Sequence, residues 1–175
     1  MIPLLLLLAC TKPVPIEAAT PTAPVHSPLA GQAVAGVTSP ALSALLLAHW
    51  EATALRYPDW ASELGDDRYA DRIQDPSLDA QAAWNDHLRD VLTQALALTS
   101  LNADDTLTRD LLTTELRATL GTEVCRFDEW AISPRWNVLT ATQQLGQDAK
   151  VDDAAEAQAL LVRFRAHADS IRVQG

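Results

Sequence analysis

Cysteine, glycine, aromatics and basic charge are all scarce in this chain of 175 residues, and each shortage excludes something. There are 2 cysteines, Cys10 and Cys125. Neither sits in a CxxC pair or near a histidine at ligand spacing, so a disulfide framework or a thiolate metal site is excluded. Cys125 is expected to be a small buried or half-buried side chain. The 6 glycines form no phosphate-binding loop, and no G-x-S-x-G elbow is present. Aromatics make up 5% of the chain and consist mainly of tryptophan, whereas alanine and leucine are abundant. This balance favours helices over sheet. With 13 basic against 23 acidic residues, the net charge is -10. Lys12 and Glu17 cancel, so the excess lies beyond residue 40. An acidic domain repels nucleic-acid backbones, so no nucleic-acid partner is expected, and the acidity reads as a solvated surface.

Long apolar runs are also missing. The opening stretch M-I-P-L-L-L-L-L-A-C is too short to span a bilayer. It fits the apolar region of a secretory signal peptide, or else a buried terminal element. Leu7-Leu8-Ala9-Cys10 resembles a bacterial lipobox, which implies a signal peptide over 1–9, lipidation at Cys10 and a membrane partner through that anchor. No Lys or Arg precedes the apolar run, a departure from that pattern. Thr11 in place of aspartate fits sorting to the outer membrane, so the expected location is the cell envelope. Residues 10–39 follow, with half of the 10 prolines and almost no charge. They read as a disordered Pro/Ala/Thr-rich tether, with His26 solvated within it.

From residue 40 the pattern becomes helical. Ser39-Pro40 is an N-cap and N1 pair for a helix to about Arg56, which Pro58 then stops. Asp75-Pro76 opens a second helix to about Thr99, with Trp84, Leu88, Val91 and Ala95 on one stripe. Asn102 caps a third, and the short loop predicts an antiparallel hairpin. Residues 126–150 show no clean period and read as turns and short irregular helix. Asp153-Ala-Ala-Glu156 is a capping box for a fourth helix, on which Arg163 and Arg165 are expected to face outward. The fold class is therefore all-α, an antiparallel array of about four main helices over residues 40–175.

The least generic stretch is P-D-W-A-S-E-L-G-D-D-R-Y-A-D-R, Pro58 to Arg72. Gly65 stands where a helix end wants a left-handed residue. Asp66, Asp67, Arg68, Asp71 and Arg72 form a prospective salt-bridge cluster, and Trp60 is expected to anchor the loop in the core.

This run resembles the N-terminal signature of the bacterial domain-of-unknown-function family numbered 885 (DUF885), Pro-x-Trp-Ala-(Thr/Ser)-x-Leu-Gly-Asp-x-Arg-Tyr-x-Asp. The matching positions include Trp60, Gly65, Asp66, Arg68, Tyr69 and Asp71, and the resemblance extends loosely from about Leu42 onward. The family is similar to helical zinc metallopeptidases with a His-Glu-x-x-His motif far downstream. The resemblance implies an N-terminal piece of a peptidase-like lipoprotein, with zinc expected only in a C-terminal part, peptide as the substrate of the whole, and no catalytic or metal residue here. It also makes Arg135, Trp136 and Asn137, with Gln143, candidates for a substrate wall; the competing reading is that the aromatics there cap the core. The four histidines, His26, His49, His87 and His167, include no two within one helical turn, and His49 reads as a boundary residue. The alternative function is a complete lipid-anchored helical binding module without catalysis.

Overall fold

The structure, a computed structural model, describes residues 27–129, 138–149 and 151–174. It is all-α: among the described residues there are seven α-helices and no strand. They are α1 (Ala30–Ala33), α2 (Pro40–Arg56), α3 (Pro58–Glu63), α4 (Leu78–Ala97), α5 (Ala103–Gly121), α6 (Val138–Asp148) and α7 (Ala154–Gln174). Among the described residues no helix is long and apolar enough to cross a membrane.

Helix ends follow local chemistry. The Ser39 side chain accepts from the Leu42 amide at 3.3 Å, and Pro40 occupies the first turn, where its missing N–H costs nothing. Helix α2 ends at Tyr57 because Pro58 disfavours the helical conformation there. Helix α4 starts two residues later than the Asp75-Pro76 pair suggests. Ser77 is its cap, accepting from Ala80, while the Asp75 carboxylate accepts from the Ser77 amide at 2.9 Å. Asn102 caps α5, accepting from Asp105 at 2.8 Å. Asp153 caps α7 by accepting from Glu156 at 2.9 Å, and Glu156 reaches back to the Asp152 amide at 2.6 Å. An eleven-residue helix, α6, occupies part of the stretch expected to be irregular, and it pairs with α7 where the Phe164 ring lies over Gly146.

The core is where α2 crosses the α4–α5 hairpin. Leu45, Trp84, Leu88, Val91, Ala95, Leu112 and Leu116 form one buried cluster, edged by Tyr57, Leu92, Leu98 and Leu120. Most of the α4 residues among them recur every three or four positions, so one stripe of that helix faces inward. Leu107 and Leu111 of α5 are exposed, as is Leu96 on α4.

Residues 27–39, expected to be part of the tether, are instead tied to the helices. The buried carboxylate of Asp105 accepts from the Thr38 amide (3.0 Å), the Thr38 hydroxyl (2.7 Å) and the Ser39 amide (2.9 Å). Asn102 donates to the same Thr38 hydroxyl at 2.7 Å. One carboxylate thus joins the N-termini of α2 and α5, where both dipoles favour negative charge. These hydrogen bonds, to Thr38 first, hold the Asp105 carboxyl below its usual range.

Candidate functional site

The Pro58–Arg72 stretch folds as a corner under α2. Pro58 and Ala61 face inward from α3, and Gly65 ends it at φ 92°, a left-handed conformation that favours glycine. Asp66 follows, 1% exposed. Its carboxylate accepts from Arg68 Nε and Nη2, both at 2.7 Å, and from the Ser27 hydroxyl at 2.7 Å. Arg68 Nη2 also reaches Glu51 at 2.8 Å, and Glu51 accepts from the Ser27 amide at 2.9 Å. Ser27, Asp66, Arg68 and Glu51 therefore close a polar ring joining the start of the described chain, α2 and the corner. The Arg68 hydrogen bonds hold the Asp66 carboxyl down at about 2, against the cost of burial. Of the five residues expected to cluster here, Asp66 and Arg68 join the ring, which is completed by Glu51 and Ser27 rather than by Asp67, Asp71 or Arg72. Asp71 lies outside it, exposed and 3.8 Å from Arg72. Tyr69 receives both guanidinium groups over its ring, Arg68 at 5.3 Å and Arg72 at 5.4 Å.

Trp60 is not the core anchor. It is 37% exposed and leans on Trp50 at 5.4 Å, because α3 turns Pro58 and Ala61 inward and the tryptophan between them toward the rim. Cys125 is exposed rather than buried, since α5 ends at Gly121 and a 3-10 turn carries the thiol outward. Arg163 turns inward rather than outward. Its side chain is 12% exposed and pairs with Asp59 of α3. Among the described residues, Arg163 Nε and the Nδ1 of buried His167 have no hydrogen-bond partner. Cys10, His26, Arg135, Trp136 and Asn137 lie outside the described residues. Gln143 is exposed on α6.

Two histidines far apart in sequence meet. His49 Nδ1 of α2 lies 3.1 Å from His87 Nε2 of α4. Their rings are 22° from coplanar with centroids 5.4 Å apart, so the two nitrogens point at each other. One donates and the other accepts, so the accepting ring is neutral. Trp84 stacks at 5.0 Å from His87 and 6.0 Å from His49. Burial, then the neighbouring His87, pushes His49 down to about 4. Burial also lowers His87, partly offset by Asp90. This arrangement does not suit zinc. The accepting ring spends its lone pair inside the pair, and among the described residues no three His, Cys, Asp or Glu side chains converge as a cage.

Beside this pair runs a groove of about 450 Å³ between α2, the 72–75 loop and α4. Leu55, Ile73, Ala83 and Trp84 make it apolar, and Arg56 and Arg72 line it with positive charge. The Arg56 guanidinium is braced by the Asp75 carbonyl at 2.7 Å and Gln81 Oε1 at 2.8 Å. Its volume falls within the range of about 300–1,000 Å³ usual for small-ligand sites. Sequence reasoning missed it because its walls come from three segments that meet only in the fold. Among the described residues that line it, no nucleophile is paired with a base. Comparison of the chain with protein-family models, curated proteins and solved structures gives no match.

Proposed function

We propose that this chain is the N-terminal helical scaffold of a peptidase-like envelope lipoprotein similar to DUF885 proteins. In this reading it supplies a ligand-facing wall and no catalytic group of its own. The observation that carries it is the use made of the signature residues. Gly65, Asp66 and Arg68 are engaged in a left-handed turn and a buried polar ring, so the resemblance concerns architecture. The groove beside Trp84 gives that scaffold a surface for peptide. Exposed Leu96, Leu107 and Leu111 suit further helices packing onto α4 and α5. Cys10 would carry the lipid that holds the protein at the envelope, and any zinc would belong to a C-terminal part.

The test is a metal analysis of the purified full chain, combined with digestion of a mixed peptide library with and without chelator. Substoichiometric zinc and no chelator-sensitive cleavage are expected. One zinc per chain, lost on substituting His49 or His87 and accompanied by cleavage, would overturn the proposal. A second reading, a self-sufficient lipid-anchored binding module, is favoured by the closed core of α2, α4 and α5. Self-association of the purified chain through its exposed leucines favours the scaffold; a monomer with cooperative unfolding favours the module.

A further inference from the structure

We propose that His49 and His87 together form a two-coordinate site for a soft monovalent metal ion, Cu(I), held in line between His49 Nδ1 of α2 and His87 Nε2 of α4. This inference goes beyond the scaffold reading and does not depend on it. Three observations combine. First, the two nitrogens face each other 3.1 Å apart, on rings 22° from coplanar. An ion with two ligands in line requires that disposition, and a filled-shell monovalent ion such as Cu(I) is satisfied by it. The donor set is imidazole alone, which suits copper. Second, both rings are half-buried, and His87 borders the open groove, so the site is shielded yet has a path of entry. Third, Trp84 stacks against both rings, 5.0 Å from His87 and 6.0 Å from His49. Its π face beside the pair favours a cation there, as does the negative charge of Asp90 near His87.

Zinc is not served by two ligands, and among the described residues no third His, Cys, Asp or Glu converges with the pair. Cu(I) takes the place of the proton that the rings share. The ring that donated this proton binds the ion through the freed nitrogen and carries its proton on the other ring nitrogen. The accepting ring keeps the N–H it already has. Both rings stay neutral, nothing is oxidised or reduced, and no proton is released. An imidazole–metal bond is about 2 Å long, so nitrogens in line stand about 4 Å apart and the rings must part by roughly 1 Å. Rotation of His87 toward the groove it borders supplies that distance.

The experiment is a titration of the full chain carrying Cys10→Ser and Cys125→Ser, so that no thiol competes for the ion. Cu(I) is added without oxygen, against a chromophoric Cu(I) chelator, and the imidazole nitrogens are followed by nitrogen NMR. One ion should bind per chain, and the signals of His49 Nδ1 and His87 Nε2 should shift together. His49→Gln and His87→Gln should each weaken binding by about a hundredfold or more, the upper end of what loss of a supporting partner alone costs a metal site. Zn(II) at the same concentration should neither displace the ion nor shift the two signals. Circular dichroism checks that each variant stays helical; where one does not, the two nitrogen signals of the parent chain decide alone. No uptake against the chelator, binding that survives either substitution, a shift confined to one of the two histidines, or zinc bound as tightly as copper would overturn the inference.

Discussion

Removing the Arg68 side chain tests whether the polar ring holds the corner. Arg68 faces two carboxylates, Asp66 at 2.7 Å and Glu51 at 2.8 Å. In Arg68→Ala, Asp66, which is 1% exposed in the native chain, keeps hydrogen bonds from the Ser27 hydroxyl and the backbone amide of residue 68 but loses the guanidinium that neutralised it. Breaking a buried pair in this way costs about 3–5 kcal/mol, because a charge is left uncompensated. The ring is shallow, with the Arg68 and Glu51 side chains 18% and 27% exposed, so the lower end, about 3 kcal/mol, is expected. The loss should also change with pH. In the native chain Arg68 holds Asp66 at about 2, so that stabilisation is present above the usual carboxylate range and is lost only as pH falls through about 2. In the variant the carboxyl titrates higher, so mild acid should recover part of the lost stability relative to native. Urea unfolding followed by circular dichroism, near neutral pH and again under mild acid, measures both effects. A loss below about 1 kcal/mol, the usual worth of an exposed ion pair, would refute the reasoning. So would a loss that mild acid does not reduce. The double variant Asp66→Ser with Arg68→Ala should be more stable than Arg68→Ala alone, since it removes the orphaned charge.

The histidine pair gives a second prediction. His49 titrates near 4 in the folded chain and near 6.5 when unfolded. Its contribution is therefore fully present above about 6.5 and is lost as pH falls toward 4. At about 1.4 kcal/mol per unit, discounted by roughly half for partial exposure, the loss is about 1–2 kcal/mol. Denaturation across that window should show the slope, and His49→Gln should flatten it; an unchanged slope would mean the pair is solvated. Trp60→Ala should cost about 2 kcal/mol, below the about 3–5 kcal/mol of a fully buried tryptophan, because more than a third of the side chain is already in water. A loss above about 4 kcal/mol would place Trp60 in the core after all.

What could be read from the sequence was what is encoded locally. The caps at Ser39, Asn102 and Asp153, the stop at Tyr57 and the left-handed Gly65 each depend on a few neighbouring residues. The stripe of α4 was legible for the same reason, since one helix carries its own period. What was not legible depends on contacts between distant segments. Asp66 and Arg68 are two residues apart and could be paired on sight. Their partners Ser27 and Glu51 are 39 and 17 positions away and carry no signal. His49 and His87 lie on separate helices 38 positions apart, so a search for histidines within one turn passes over them. Trp60 misled because its size suggests burial, whereas the direction of a six-residue helix is decided by which side faces α2. The groove was invisible for a related reason: Arg56 and Arg72 belong to different elements, and the space between them exists only after folding.

The two acid-centred joints at Asp66 and Asp105 also set the order in which the chain would yield to a pull. Force applied at Ser27 meets the Asp66 and Glu51 bonds first, and only after these part does it reach Thr38 and the Asp105 carboxylate. Helix α2 begins immediately behind that second joint. Between the two joints α1 packs on α2, so tension at Ser27 must part the polar ring and strip α1 from α2 before it reaches the Asp105 joint.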